Sequence, residues 1–195
     1  SAGIEFMAQK TAGKTTGWLS YTLSKSDRKF TKGGINNGEW FPYKYDRRHS
    51  INLTINHKFS DRIDIGASWV FYTGGTSTIP EEKTTVIRPH NGANNGFLWY
   101  GTYDNTNSSP TIGDVSYIEH RNNFRLPASH RLNLGVNFNK KTKHGMRTWN
   151  ISLYNAYNAM NPAWVYRGHN KQGLSVIKKY TLLPLIPSFT YTYKF

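Results

Sequence analysis

The sequence predicts an all-β protein, an antiparallel, up-and-down transmembrane β-barrel with about eight strands. Apolar and polar residues alternate with a period of two along most of the chain, as in strands that have one apolar face. The alternating segments run for roughly 9–12 residues, which suits a tilted crossing of a bilayer, whereas soluble strands average about 5–6. Short connections alternate with long ones, as in a barrel with one plain rim and one elaborated rim.

Four strands are predicted in the first half of the chain, each with an apolar residue at nearly every second position. Short polar turns, 11–15 and 60–62, close two hairpins, and His57 interrupts one apolar series. The strands, with the apolar residues that define them, are 2–10 (Ile4, Phe6, Ala8), 16–26 (Leu19, Tyr21, Leu23), 48–59 (Ile51, Leu53, Ile55, Phe59) and 63–74 (Ile63, Ile65, Ala67, Trp69, Phe71).

Four more strands are predicted in the second half, where turns at 141–145 and at Leu185–Ile186 would close the last two hairpins. These strands are 130–140 (Leu132, Leu134, Val136, Phe138), 146–158 (Trp149, Ile151, Leu153), 174–184 and 187–195 (Phe189, Tyr191, Tyr193, Phe195). The remaining connections, 27–47, 75–129 and 159–173, are long and rich in Gly, Asn, Pro and aromatic residues. Connections longer than about 12–15 residues are uncommon in compact domains, so three on one rim indicate a function there.

The alternation alone is compatible with two folds. In a soluble sandwich the apolar face would pack on a second sheet, whereas in an outer-membrane barrel it would face lipid around a wet interior. The barrel is favoured by strand length, by the unequal connections and by Tyr and Trp near strand ends, as in interfacial aromatic belts. These aromatic residues are Trp18, Trp69, Tyr72, Trp149, Tyr157 and Tyr180.

The composition and net charge restrict the partners and the kinds of membrane segment that are expected. The net charge of +14 comes from basic residues in small, scattered clusters rather than a long run or a helical stripe, so nucleic acid is not expected as a partner. Lipopolysaccharide phosphates would attract such residues at the rim of a barrel. The chain has no Cys, no signal peptide at its start and no apolar run of the roughly 20 residues that a membrane-spanning helix needs.

Several stretches carry motifs that recur together in one family. They are GIEFMAQKTAGKTTGWLSYTLSKS, FPYKYDRRHSINLTINHKF, LPASHRLNLGVNF, ISLYNAYNAMNP with its pattern Tyr-Asn-x-x-Asn-x-x-Asn-Pro, and LLPLIPSFTYTYKF with its terminal aromatic residue. In this order they resemble the C-terminal part of the barrel in TonB-dependent outer-membrane receptors. The resemblance covers essentially all regular segments and fades in the long connections.

The resemblance implies that residues 1–195 form the C-terminal portion of a 22-stranded barrel, with the plug domain and TonB-binding segment outside this sequence. The implied function is import of a scarce substrate of the siderophore, cobalamin, oligosaccharide or peptide class. The implied partners are outer-membrane lipid and lipopolysaccharide, the barrel-assembly machinery, the TonB system through a plug, and a surface lipoprotein lid. A self-contained small barrel that acts as an adhesin or structural protein is the alternative.

No enzyme, metal or cofactor site is expected. Asp46, His49 and Ser50 make up a triad in composition only, and the seven His residues lack the spacing of a zinc site. The oxygen-rich stretch 104–108 lacks the Gly and the closing Glu of a calcium-binding EF-hand loop.

Ligand binding is expected instead from aromatic and basic residues of the long connections, which suit stacking and hydrogen bonding. The candidates are Trp40, Tyr43, Tyr45, Trp99, Tyr100, Tyr103, Trp164 and Arg167. Packing of the loops on one another explains any one of them equally well. By the resemblance, a separate set forms the signal that the assembly machinery reads: Phe189, Tyr191, Tyr193 and Phe195.

Overall fold

The computed structural model describes residues 1–32, 34–88 and 111–195. Apart from one short 3-10 helix, η1 (Ile35–Gly38), the regular elements of this part of the chain are strands. They are β1 (Ala2–Lys10), β2 (Thr15–Lys25), β3 (Asp27–Arg28), β4 (Phe41–Pro42), β5 (His49–Lys58), β6 (Ile63–Tyr72), β7 (Thr76–Ser77), β8 (Glu82–Arg88), β9 (Thr111–Tyr117), β10 (Phe124–Arg125), β11 (Ser129–Thr142), β12 (Gly145–Tyr154), β13 (Pro162–His169), β14 (Ser175–Thr181) and β15 (Ile186–Lys194).

The chain forms two compact units, residues 1–79 with 120–195 and residues 80–119. The first is built on one antiparallel sheet of seven strands whose neighbours follow chain order, β1-β2-β5-β6-β11-β12-β15. The predicted all-β, antiparallel, up-and-down arrangement is thereby confirmed for this sheet. Its two outer strands, β1 and β15, are not paired with each other within the described residues, so the sheet is open there.

The sheet has seven strands where about eight were predicted, and one predicted strand lies elsewhere. The predicted strand 174–184 forms β14, which pairs with β13 in a separate two-stranded hairpin, while β12 pairs directly with β15. The predicted turn at Leu185–Ile186 is also wrong, because Ile186 begins β15 opposite Tyr154. A two-residue alternation indicates a strand but not its partner, so a hairpin within a connection has the same pattern as a strand of the main sheet.

The register places most of the apolar residues of the seven strands on one face. Residues directly opposite each other project from the same side of a sheet. One row across the first four strands is Phe6, Tyr21, Ile51 and Phe71, and one row across the last four is Ile65, Val136, Ile151 and Phe189.

This apolar face is the more exposed of the two. Ile151 and Phe189 lie in the middle of their strands yet are 49% and 64% exposed, whereas Asn150, between Trp149 and Ile151 on the polar face, is half-buried. In the first unit, as far as the structure describes it, the only buried hydrophobic side chains are those of Phe41 and Ile79, which lie in connections. The sheet therefore has no apolar core of its own on either face.

The second unit, residues 80–119, contains the hairpin of β8 and β9. These strands pair from Glu82 opposite Tyr117 to Arg88 opposite Thr111. The backbone N–H of Glu81 extends the pairing by donating to the Tyr117 carbonyl oxygen at 2.9 Å. In the part of the chain that the structure describes, no helix is both long and apolar enough to cross a membrane.

Candidate functional site

The polar face of the sheet carries a connected row of hydrogen-bonded side chains. Asp64 on β6 accepts hydrogen bonds from Nδ2 of Asn137 and from Nδ2 of Asn139 on β11, both at 2.6 Å. On β12, Asn150 Nδ2 donates to Asn137 Oδ1 at 2.7 Å, and Thr148 Oγ1 donates to Asn139 Oδ1 at 2.8 Å. The side chains of this face hold one another in place and form a polar surface suited to water or a polar solute.

A buried carboxylate joins the connections that follow β2 and β6. Asp46 is 1% exposed, and its Oδ2 accepts from Arg125 Nη2 at 2.5 Å and from Arg48 Nε at 3.0 Å. Its Oδ1 accepts from the backbone N–H of Ser26 at 2.7 Å. Arg125 Nη1 donates to the carbonyl oxygens of Asp46 and Gly74, both at 2.9 Å. These bonds fix the two connections to each other, since a buried charge must keep its partners.

The pKa of Asp46 reflects this pairing. Burial by itself would raise the pKa, but the hydrogen bonds from Arg125 and from the Ser26 backbone, together with the charges of Arg48 and Arg125, lower it below its usual value. Asp46 is therefore charged at neutral pH. Because its oxygens are occupied, its role in the structure is to hold the connections rather than to transfer protons.

The triad that composition suggested is not assembled. Asp46 contacts two Arg residues, while His49 Nδ1 lies 2.9 Å from the hydroxyl of Tyr21. The two rings of the His49–Tyr21 pair are stacked at 6.2 Å between centroids. This pair lies on the apolar face, near the end of β2 and at the start of β5.

Two Asn side chains add further hydrogen bonds between the two connections. Asn36, 6% exposed, accepts from the backbone N–H of Arg121 at 2.8 Å and donates to the carbonyl oxygen of the same residue at 3.2 Å. Asn123 pairs in the same way with the backbone of Ile79, at 2.9 Å in both directions. A carboxamide that both donates to and accepts from one backbone residue makes the same pair of hydrogen bonds as a residue of a neighbouring strand. The backbone of these connections is therefore held in place, although few of their residues belong to strands.

The Asn repeat that follows β12 has a structural role at each position. Asn155, 1% exposed, accepts from the backbone N–H four residues later at 2.8 Å. Asn158 Oδ1 accepts from the backbone N–H of Leu185 at 3.0 Å, and Asn161 accepts from the backbone N–H of His130 at 3.0 Å. Asn155 and Asn158 have positive φ angles of 53°, a conformation that Asn tolerates better than most residues. The repeat therefore shapes the rim where β13 begins.

Three Arg side chains near the same rim lie over Tyr rings. The pairs, with the distance from the guanidinium carbon to the ring centre, are Arg28–Tyr43 at 3.7 Å, Arg47–Tyr72 at 3.9 Å and Arg131–Tyr154 at 4.3 Å. Arg131 also donates from Nη1 to the Tyr154 hydroxyl, while its buried Nε has no partner among the described residues. Stacking of this kind orients a guanidinium without neutralising it, so the rim keeps a positive charge.

Trp40, Tyr43 and Tyr45 were predicted to bind ligand, and the structure gives them different surroundings. Tyr43 lies under Arg28 and meets the ring of Tyr45 edge-on at 5.4 Å. Trp40 and Tyr45 are 69% and 64% exposed. Packing therefore accounts for Tyr43, whereas Trp40 and Tyr45 present surfaces that a ligand could stack on.

The other ligand candidates belong to different segments. Trp164 on β13 stacks on Tyr180 of β14 with ring centroids 4.3 Å apart and planes 9° apart, and Arg167 Nε donates to Ser175 Oγ at 2.9 Å. Both residues thus stabilise the β13–β14 hairpin. The remaining candidates lie outside the described residues: Trp99, Tyr100 and Tyr103.

The predicted assembly signal lies at the edge of the sheet. Tyr191 and Phe189 pack against Trp149 with ring centroids 4.5 and 5.0 Å away, and Tyr193 lies opposite Arg147. Phe195 follows the last residue of β15 and is completely exposed. Of the residues predicted for this signal, Phe189, Tyr191 and Tyr193 therefore lie on the apolar face of an outer strand, and Phe195 follows that strand.

A shallow groove of about 310 Å³ lies across β1, β2 and β5, around Gly17 and close to the turn 11–14. Ala8, Leu19, Leu53 and Ile55 are among the residues that line it. None of the ligand candidates from the long connections lines this groove, so it does not identify their binding site.

Sequence reasoning missed the Asp46–Arg125 contact. Asp46 is a single acid beside Arg47 and Arg48 in an otherwise basic segment, a pattern that could have indicated a structural ion pair. Arg125 gave no comparable signal, since its partner is 79 residues away.

Comparison of the chain with models of protein families, with curated protein sequences and with solved structures finds no match.

Proposed function

We propose that this chain is part of an outer-membrane transport barrel, the C-terminal portion of a TonB-dependent receptor that binds and imports a scarce substrate. The observation that carries the proposal is the reversed exposure of the sheet. Its apolar face has no covering layer over seven strands, and its polar face is hydrogen-bonded and mostly half-buried along the inner strands. Lipid would cover the first face, and a wet interior would hydrate the second.

The lengths and positions of the connections support the same proposal. The turns after β1, β5 and β11 are short, whereas the three segments between β2 and β5, β6 and β11, and β12 and β15 are long. All three long segments leave from the same end of the strands, as the extracellular loops of an outer-membrane barrel do. The fixed backbone around Asp46 would give exposed residues such as Trp40 and Tyr45 a defined position for binding.

The open edges favour part of a larger barrel over a small closed one. In lipid, unpaired backbone groups of an edge strand cost several kcal/mol each, so membrane sheets close. Here β1 and β15 are the two edges and face no partner within the described residues. An odd number of seven strands also differs from the even number in bacterial single-chain barrels. Further strands outside this sequence would complete the barrel.

The experiment that tests the proposal begins with the gene. The reading frame upstream of Ser1 should encode further alternating strands and a plug domain, and the product should fractionate with the outer membrane. A deletion strain should then lose TonB-dependent uptake of one substrate class when siderophores, cobalamin, oligosaccharides and peptides are compared. A stop codon directly upstream, or a product that stays soluble, would contradict the proposal.

A further inference from the structure

The charged residues on the apolar face of the sheet are all of one sign. Within the seven strands, all of which the structure describes, both acidic residues, Glu5 and Asp64, lie on the polar face. The apolar face has cationic and imidazole side chains and no acid. By register these are Lys10, Lys25, His49, His57, His130, Lys140 and Arg147.

Two of these cations face each other at the turn end of the sheet. Lys140 on β11 lies directly opposite Arg147 on β12, and Arg147 lies directly opposite Tyr193 on β15. Side chains so paired have Cβ atoms about 4.5–5.5 Å apart, and like charges at that distance destabilise a sheet. Both side chains are exposed, and the Arg147 guanidinium lies 6.0 Å from the centre of the Tyr193 ring. An anion between the two cations would remove the repulsion.

The rows next to this pair change in polarity step by step. One row further from the turn, Phe138, Trp149 and Tyr191 lie opposite one another, and the next row holds Val136, Ile151 and Phe189. The order from the turn inward is therefore charged, aromatic and then apolar. A phospholipid has the same order, with its phosphate outermost, its glycerol and ester region next and its acyl chains last.

We propose that Lys140, Arg147 and Tyr193 form a binding site for the phosphate of an anionic phospholipid headgroup at the turn-end rim of the sheet. The two cations would hold the phosphate, and Trp149 with Tyr191 would border the ester region. The acyl chains would lie on the apolar side chains beyond. The inference rests on the membrane location in the proposed function but not on transport.

The test uses the gene product that carries this chain, purified in detergent and incubated with phosphatidylglycerol or with zwitterionic phosphatidylcholine. Native mass spectrometry counts the lipid molecules that each protein retains. The wild type should retain phosphatidylglycerol in preference to phosphatidylcholine. Lys140→Gln and Arg147→Gln should each reduce that preference about five-fold, the size expected for one basic residue at an anionic surface. Lys171→Gln, in the turn of the β13–β14 hairpin, is the matched control and should leave it unchanged.

The outcomes separate this inference from the function proposed above. A protein that inserts into vesicles but retains both lipids equally, or a Lys140→Gln, Arg147→Gln double variant with wild-type preference, overturns the lipid site alone. A protein that does not insert into vesicles of either lipid overturns the membrane location as well. Circular dichroism confirms that each variant keeps its strand content, and Arg147→Lys, which keeps the charge, should retain most of the preference.

Discussion

Arg125 Nη2 lies 2.5 Å from Oδ2 of Asp46, although the two residues are 79 positions apart. The contact joins the connection after β2 to the connection after β6, and Arg48 adds a second cation at 3.0 Å. The buried pair thus makes one structural unit of two segments that the sequence shows as separate loops. Its contribution to the stability of the two connections can be measured by hydrogen exchange of the nearby backbone.

Replacement of Asp46 by Asn should loosen both connections. Asn keeps the size of the side chain and can still accept from Ser26, but it leaves Arg125 without its counter-charge and Arg48 with only the more distant carboxylate of Asp27, 3.9 Å away. Loss of one partner of a buried ion pair costs roughly 3–5 kcal/mol, and we expect about 2–3 kcal/mol here since both Arg side chains are partly exposed. Hydrogen exchange of the backbone near Ser26 and Gly74 should therefore be about thirty-fold faster or more.

The matched control is Asp61→Asn. Asp61 pairs with Lys58 at 2.7 Å, but both side chains are exposed and the pair lies in a short turn. An exposed pair of this kind contributes little, so exchange in the two long connections should not change. Equal exchange rates for Asp46→Asn and wild type would show that the amide contacts of Asn36 and Asn123 suffice without the ion pair.

The pH dependence of the same contact has a defined sign. The pKa of Asp46 is lower in the folded protein than its ordinary value of about 3.9, so the folded state favours the carboxylate. The resulting stabilisation is fully present above about pH 4 and is lost as the pH falls through the folded pKa. Exchange near Ser26 should accelerate below about pH 4, after correction for the intrinsic rate. Asp46→Asn should not show this acidic step; if it does, another group is responsible.

Asn155 offers a test of the same rim, in the connection that follows β12. Asn155→Ala removes the buried hydrogen bonds to Ala159 and Leu183 and places a Cβ-bearing residue at φ 53° without the polar side chain that suits it. At about 1 kcal/mol for each of the three bonds and 1–2 kcal/mol for the backbone, roughly 4–5 kcal/mol should be lost locally. Asn155→Gly, which tolerates the backbone angle, should lose less. The measurement is hydrogen exchange over residues 155–161, and equal effects of the two variants would exclude a backbone contribution.

The sequence allowed seven strands of the sheet and their apolar face to be predicted, because a period of two is a local property that each strand shows by itself. It did not show that β14 pairs with β13, since the choice of partner depends on contacts outside the strand. The contacts of Asp46 with Arg125 and of Asn36 with Arg121 join residues about 80 positions apart and leave no local pattern. Ligand binding by the candidate residues stays a prediction: Trp40 and Tyr45 are exposed, while Tyr43 and Trp164 also pack on neighbouring side chains.

The terminal residue permits a test of assembly. Phe195 lies beyond β15 and is completely exposed, so its side chain adds little to the stability of the sheet. If it is part of an assembly signal, Phe195→Ala should lower the amount of protein in the outer membrane while leaving ligand affinity of the inserted fraction unchanged. Quantitative immunoblotting of membrane fractions measures the first, and binding to whole cells normalised to that amount measures the second. Normal insertion of the variant would refute a signal at this position.

Adjacent residues of β12 test which face of the sheet meets lipid. Ile151 projects from the apolar face in the middle of the strand, and Asn150 projects from the polar face beside it. An Arg on the lipid side near the middle of a bilayer costs roughly 2–4 kcal/mol, whereas the wet interior of a barrel tolerates charge. Ile151→Arg should therefore reduce insertion into vesicles strongly, and Asn150→Arg should reduce it little beyond the loss of its hydrogen bond to Asn137. If the chain formed a soluble sandwich, neither substitution would change its partitioning between vesicles and buffer. Equal partitioning of the two variants would therefore refute the membrane location.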